Sequence, residues 1–212
     1  MSFNNLEGLI YRFLDKNTYK LSSYSSSMQE KILVGVSNRH VHLSKEHLEE
    51  LFGKNYELNV KREIRQPGQY AAEEIVTLLG KKELSARIVG PTRNYSQVEI
   101  MYSDQKELGI NAPTRISGDI KNTPGIKLKG AHGTINLSRG VIVAEKHLHL
   151  SQEESEEFNL PNNSRVNLIY NNKTRFNVVV RSGPDHLSEF HLDRDEAESF
   201  GIKTGDYVTI ED

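Results

Sequence analysis

One short phrase occurs twice in this chain, and it limits what the chain can fold into. Val34-Gly35-Val36 leads to His40-Val41-His42-Leu43-Ser44, then to an acidic segment ending at Leu51-Phe52-Gly53. Val141-Ile142-Val143 leads to His147-Leu148-His149-Leu150-Ser151, then to an acidic segment reaching Phe158. A weaker third copy begins at His191-Leu192-Asp193 and ends at Phe200-Gly201. In each copy a residue that can cap a helix directly follows the histidine-leucine step: Ser44, Ser151 or Asp193. Ser151 with Glu154, and Asp193 with Glu196, have the spacing of a capping box, in which side chains satisfy the free backbone groups at a helix start. The predicted unit is a strand end bearing histidine, followed at once by a short helix. Such a unit presents side chains at a barrel rim, and its repetition predicts two related barrels.

The chain from Lys31 onward agrees with this reading. Short β-rich runs at 32–36, 88–89, 97–101, 140–144, 166–170, 176–181 and 207–210 are separated by turn signals at Gln66-Pro67-Gly68, Gly90-Pro91 and Thr123-Pro124-Gly125. No long helical pattern lies between them, which argues against a parallel βαβ sheet and for barrels or sandwiches. The predicted class is mainly β: two related β-barrels capped by short α-helices, plus an N-terminal amphipathic helix. That helix rests on Leu6, Leu9, Ile10, Phe13 and Leu14, which fall on one helical stripe. Ser22 to Ser27 follow as a flexible linker. The stripe suits either packing on its own domain or docking on a partner. Glu7, Arg12 and Asp15 interrupt the apolar run, unlike a secretory signal.

Composition removes several functions. The net charge of −2 gives no global pull toward nucleic acid. No run approaches the ~20 apolar residues that cross a bilayer as a helix, so no membrane partner is expected. Cysteine is absent, which removes thiolate ligands and a cysteine nucleophile together. A metal would have to be held by histidine, carboxylate or water.

Residues two apart on a strand point the same way, so each His-x-His pair offers two nitrogens to one ion. Two pairs in equivalent positions, with His191 in the third copy, point to metal binding rather than to polar surface strands. Imidazole without sulfur suits zinc, iron, nickel or cobalt. Five histidines and a carboxylate exceed one tetrahedral shell, so two metals are expected. Glu99, on one face with Gln97, is the candidate carboxylate. His47 reads as surface, His132 as ambiguous in a turn, and His186 as a second choice. Arg93 in Gly90-Pro91-Thr92-Arg93, and Ser117-Gly118-Asp119, are candidates for holding an anion.

These segments occur together in a recognisable order. Val36-Ser37-Asn38-Arg39-His40-Val41-His42-Leu43-Ser44 comes first, then Arg65-Gln66-Pro67-Gly68-Gln69-Tyr70-Ala71. Gly90-Pro91-Thr92-Arg93 with Gln97-Val98-Glu99, and Ser117-Gly118-Asp119, come next. Gly140 to Ala144 before His147-Leu148-His149, and Glu189-Phe190-His191-Leu192-Asp193, close the set. The set resembles the phosphate propanoyltransferases of the propanediol-utilisation type, across nearly all of residues 31–212. The resemblance implies two β-barrels with two zinc ions between them. It implies reversible conversion of a short-chain acyl-CoA, propanoyl-CoA first, and phosphate to acyl phosphate and coenzyme A. The zinc ligands it implies are among His40, His42, Glu99, His147, His149 and His191. Arg93 matches the family's phosphate-binding arginine, and Ser117 lies in a motif near that anion. The family topology places residues 31–39 with 141–212 in one barrel and 40–140 in the other. Residues 1–27 look like a peptide that routes such enzymes into the lumen of a bacterial microcompartment, with shell or cargo as partner. Homo-oligomerisation is left open.

Two other readings fit some of these residues. A cupin-like metalloprotein would use His40, His42 and Glu46, with Glu46 on a strand facing the metal. A non-catalytic, metal-stabilised binding module would use the histidines structurally and leave Arg93 idle.

Overall fold

The structure is a computed structural model that describes residues 30–211. The N-terminal helix and linker expected over residues 1–27 lie outside the described residues. The strands of the first half are β1 (Lys31–Ser37), β2 (His40–His42), β3 (Val60–Glu63), β4 (Tyr70–Leu79), β5 (Glu83–Gly90), β6 (Gln97–Ile100) and β7 (Thr114–Arg115). Those of the second half are β8 (Ile126–Lys129), β9 (Thr134–Leu137), β10 (Val141–Ala144), β11 (His147–Leu150), β12 (Arg165–Tyr170), β13 (Thr174–Ser182), β14 (Glu189–Asp193) and β15 (Tyr207–Ile210). The helices are α1 (Lys45–Phe52), α2 (Asp104–Leu108), α3 (Gln152–Glu157) and α4 (Arg194–Phe200). None of the described helices is long and apolar enough to cross a membrane.

Strict alternation makes the outer strands. Ile126 and Leu128 are buried while Lys127 and Lys129 are exposed, and Val166 and Leu168 alternate with Arg165 and Asn167 in the same way. β6 and β11 differ, being buried at every residue. One face of each meets a hydrophobic core and the other meets the polar residues of the site.

The fold is mainly β, as expected. β1, β14, β11, β13, β12 and β15 form a closed barrel in that order. The second unit is a curled nine-stranded sheet, ordered β7, β10, β6, β2, β5, β4, β8, β9, with β3 alongside β4. Each unit has its own apolar cluster: Val34, Leu148, Phe176 and Phe190 in the barrel, and Val41, Leu78, Ile88 and Leu128 in the sheet.

The two copies of the repeat are exchanged between these units. β1 leads directly into β2, yet β1 pairs with β14 and β15 in the barrel while β2 pairs with β5 and β6 in the sheet. The second copy crosses the other way. β10 lies in the sheet beside β6 and β7, while β11 joins the barrel beside β13 and β14. This moves one expected boundary. Residues 141–144 belong to the sheet and not to the C-terminal barrel, because Val141, Ile142 and Val143 form a parallel ladder with Val98, Glu99 and Ile100.

Each crossing is tied to a helix of the unit it enters. Arg39 forks onto Asp104 of α2 at 2.8 and 2.6 Å, and Lys146 reaches Glu196 of α4 at 2.7 Å. The helices start where the caps were predicted. Ser44 accepts from His47 N, Ser151 and Glu154 complete a capping box, and Asp193 accepts from Glu196 N.

Candidate functional site

The site grows out of two equivalent strand pairs. β2 runs antiparallel to β6, setting His40 opposite Glu99 and His42 opposite Gln97. β11 runs antiparallel to β14, setting His147 opposite His191 and His149 opposite Glu189. Alternate residues share a face, so each pairing gathers two histidines and one cross-strand residue. Among the described residues, His40, His42 and Glu99 form one group of candidate metal ligands and His147, His149 and His191 the other, with ligand atoms within 4.8 Å of one another in each. The six residues singled out in the sequence thus fall into two triads.

Backbone carbonyls set the tautomers. His40 Nδ1 donates to Asn38 O at 2.8 Å, His42 Nδ1 to Val89 O at 3.1 Å, and His147 Nδ1 to Glu145 O at 2.7 Å. A carbonyl only accepts, so the proton sits on Nδ1 and the Nε2 lone pair is presented to the triad. Burial, aided by the neighbouring His40 and Arg93, lowers His42 to about 3. Burial and His191 lower His147 to about 4, and burial pushes His149 down as well. These rings are neutral at neutral pH, the form that binds a metal.

The barrel triad tests whether an ion fits. His147 Nε2 and His149 Nε2 face each other at 3.0 Å. With the His147 proton on Nδ1, only His149 can supply a hydrogen between them. His149 Nδ1 is buried and has no hydrogen-bond partner among the described residues. Lone-pair nitrogens of His147 and His149, one of them unpartnered, suit a cation such as zinc.

The supporting residues differ between the triads. Glu99 accepts from Gln97 Nε2 at 2.7 Å and from the Ser117 hydroxyl at 2.8 Å. Gln97 also donates to Ser117 Oγ and accepts from Gly118 N, so one amide ties the carboxylate to the Ser117 loop. Burial alone would raise the Glu99 carboxyl, but His40, His42, Ser117 and Arg93 outweigh it and hold the group ionised. In the barrel triad the carboxylate sits behind a ligand candidate. Glu189 lies 2.7 Å from His191 Nε2 and accepts from Gln66 Nε2 at 2.9 Å. Gln66 comes from the β3–β4 loop of the sheet unit, and its remaining groups bond the backbone of Leu187. Gly35 leaves the room for this, since a Cβ there would stand 2.6 Å from Glu189 Oε1 and 2.9 Å from the His191 ring.

Both triads line one cavity of about 1260 Å³ between the units, together with Arg93, Ser117, Arg181 and His186. Arg93 is fixed by its backbone, with N donating to Leu43 O at 2.8 Å, and its Nη1 lies 3.5 Å from Ser117 Oγ.

Several placements differ from the sequence reading. His47, read as surface, is half-buried and bonded to Ser96 Oγ at 2.7 Å. His132 is exposed in a bend. His186, the second choice, packs edge-on against His149 with ring centres 4.6 Å apart. Glu46 is exposed in the first turn of α1, so the strand-borne carboxylate of the cupin reading does not exist. Gln66, Arg181 and Glu189 carried no assigned role in the sequence. The signal for Arg181 was its alternation with buried Val178 and Val180, but only strand register shows what it faces.

The chain is similar to known proteins over most of its length. The family model described as phosphate propanoyltransferase matches residues 33–203. The phosphate propanoyltransferase of Thermotoga maritima is 44% identical over 185 residues, covering 84% of this chain and 88% of its own. That of Citrobacter freundii is 42% identical over 181 residues, covering 82% and 86%. That of Salmonella typhimurium is 42% identical over 179 residues, covering 82% and 85%. The chain therefore belongs to the phosphate propanoyltransferase family of acyltransferases.

Proposed function

We propose that the chain converts a short-chain acyl-CoA, propanoyl-CoA foremost, and phosphate to acyl phosphate and coenzyme A, reversibly. The observation that carries this reading is the convergence of two histidine-based triads and Arg93 on one cavity. The reaction must hold a phosphate dianion against a thioester, and such a cavity offers both metal sites and a cationic fork. In the forward direction a phosphate oxygen bonds to the acyl carbon and the carbon–sulfur bond breaks. The electron pair leaves on sulfur, and the proton given up by phosphate ends on the thiol.

His40, His42 and Glu99 would hold one zinc ion, and His147, His149 and His191 the other. Bound there, zinc supplies Lewis acidity to a thioester carbonyl or a departing thiolate. The chain's own groups do the positioning. Arg93 orients the phosphate through charge-assisted bonds, and Ser117, between Arg93 and Glu99, borders the same anion. The absence of cysteine leaves direct attack by phosphate as the simplest route. We assign residues 1–27 to targeting into a microcompartment. Deleting them is expected to preserve turnover and abolish co-purification with shells.

The test is thiol release from propanoyl-CoA by metal-loaded protein, with and without phosphate. Release that requires phosphate is expected; release without phosphate, or none at all, overturns the reading. Rates with acetyl-, propanoyl- and lactoyl-CoA then rank the acyl groups.

A further inference from the structure

We propose that Arg181, from the barrel, is a second phosphate-binding residue that completes the anion site from the side opposite Arg93. The proposal rests on the transferase reading for its ligand. Arg181 lies on β13 in register with His149, so it reaches the cavity from the barrel wall. Arg93 lies in the β5–β6 connection of the sheet. The two guanidinium groups meet at one residue: Arg181 Nη1 donates to Ser117 O at 2.7 Å, and Arg93 Nη1 lies 3.5 Å from Ser117 Oγ. A site assembled this way is shared between the two units.

The charge count calls for an anion. Arginine carries five donors, and among the described residues the Ser117 carbonyl is the one hydrogen-bond acceptor of the Arg181 side chain. The carboxylate common to both arginines is Glu99, with the Tyr95 phenol the other group acting on both, and the Glu99 carboxylate is already engaged by Gln97 and Ser117. Two half-buried cations therefore share one occupied carboxylate. Burial first, and Arg93 after it, disfavour the charge on Arg181, yet a guanidinium cannot discharge by losing its proton. A dianion accepting from both forks relieves the repulsion and matches their two-pronged geometry. A residue that only anchored the Ser117 loop would need one neutral donor at this position.

That distinction sets the experiment. Inorganic phosphate binding to the metal-loaded full chain is measured by calorimetry for wild type, Arg181→Ala and Arg181→Gln, with Arg93→Ala as comparison and metal content as the control for folding. Glutamine keeps a donor for Ser117 O and removes the charge. Both Arg181 variants are expected to bind phosphate about 10- to 100-fold more weakly, as for loss of a charge-assisted bond. In turnover assays the phosphate KM should rise while the KM for propanoyl-CoA stays within about twofold. Wild-type affinity in either variant overturns the proposal, and full affinity in Arg181→Gln alone marks a loop anchor. Wild type that binds phosphate without transferring acyl groups refutes the transferase reading but leaves the Arg181 comparison decisive. No phosphate binding by wild type refutes both.

Discussion

The two triads stand on the same frame and differ by one exchange. In both, a His-x-His strand lies between a parallel and an antiparallel neighbour: β5 and β6 for β2, and β13 and β14 for β11. Opposite the first histidine stands Glu99 in one copy and His191 in the other. Opposite the second stands Gln97 in one and Glu189 in the other. The carboxylate has moved from the ligand position to the place behind it. In the proposed metal sites the sheet triad would bring a formal charge to an ion, while the barrel triad would bring imidazoles alone, with the Glu189 charge outside them. An ion in an all-imidazole shell keeps more of its own charge for a substrate.

The largest expected effect comes from removing a ligand candidate. Loss of an outer partner of a metal ligand already costs 10- to 100-fold, so His40→Ala and His147→Ala should each lower phosphate-dependent turnover by more than about 100-fold. Full activity in either variant would break the equivalence of the triads. A smaller and selective effect is expected from Glu189→Gln. Chelator competition should show metal affinity at the barrel triad reduced by about 10- to 100-fold, with the sheet triad unchanged. Equal weakening at both triads would mean that Glu189 acts through the fold and not through His191.

The smallest effect is on stability against pH. His42 and His147 are held at about 3 and about 4, below their ordinary value of 6.5, chiefly by burial. In metal-free protein the unfolded chain binds protons first as pH falls below 6.5, so stability declines from there toward pH 4 and is level above about pH 7.5. The slope is at most about 1.4 kcal/mol per pH unit for each such histidine. Urea midpoints at pH 7.5, 6 and 5 measure it. His42→Ala and His147→Ala should each flatten the curve, and a curve unaltered in both would contradict the assignment of buried neutral rings.

The local unit was legible from the sequence because it is written in nearest neighbours. Strand alternation, His-x-His spacing and the caps Ser44, Ser151 and Asp193 depend on residues within a few positions of one another. The candidate ligands were legible for the same reason, together with the repeat. The exchange of lead-in strands was only half legible: the resemblance placed β1 with the C-terminal barrel, whereas the return of Val141–Ala144 to the sheet depends on pairing with Val98–Ile100, some forty residues away. Arg181, Gln66 and Glu189 were hidden by the same physics. Their roles arise from register and from loops that cross between units, and Gln66 meets Glu189 across 123 positions of chain. Glu99 was the exception. Its alternation with Gln97 put both on one face, and the structure sets that face against His40 and His42.

On the proposed reading, the exchanged copies build two separate metal sites on one cavity. Zinc content per chain, measured after metal loading for wild type, His40→Ala and His147→Ala, tests it most directly. Two equivalents are expected in wild type and one in each variant. Saturation of wild type at one equivalent, or loss of all zinc in both variants, would contradict it.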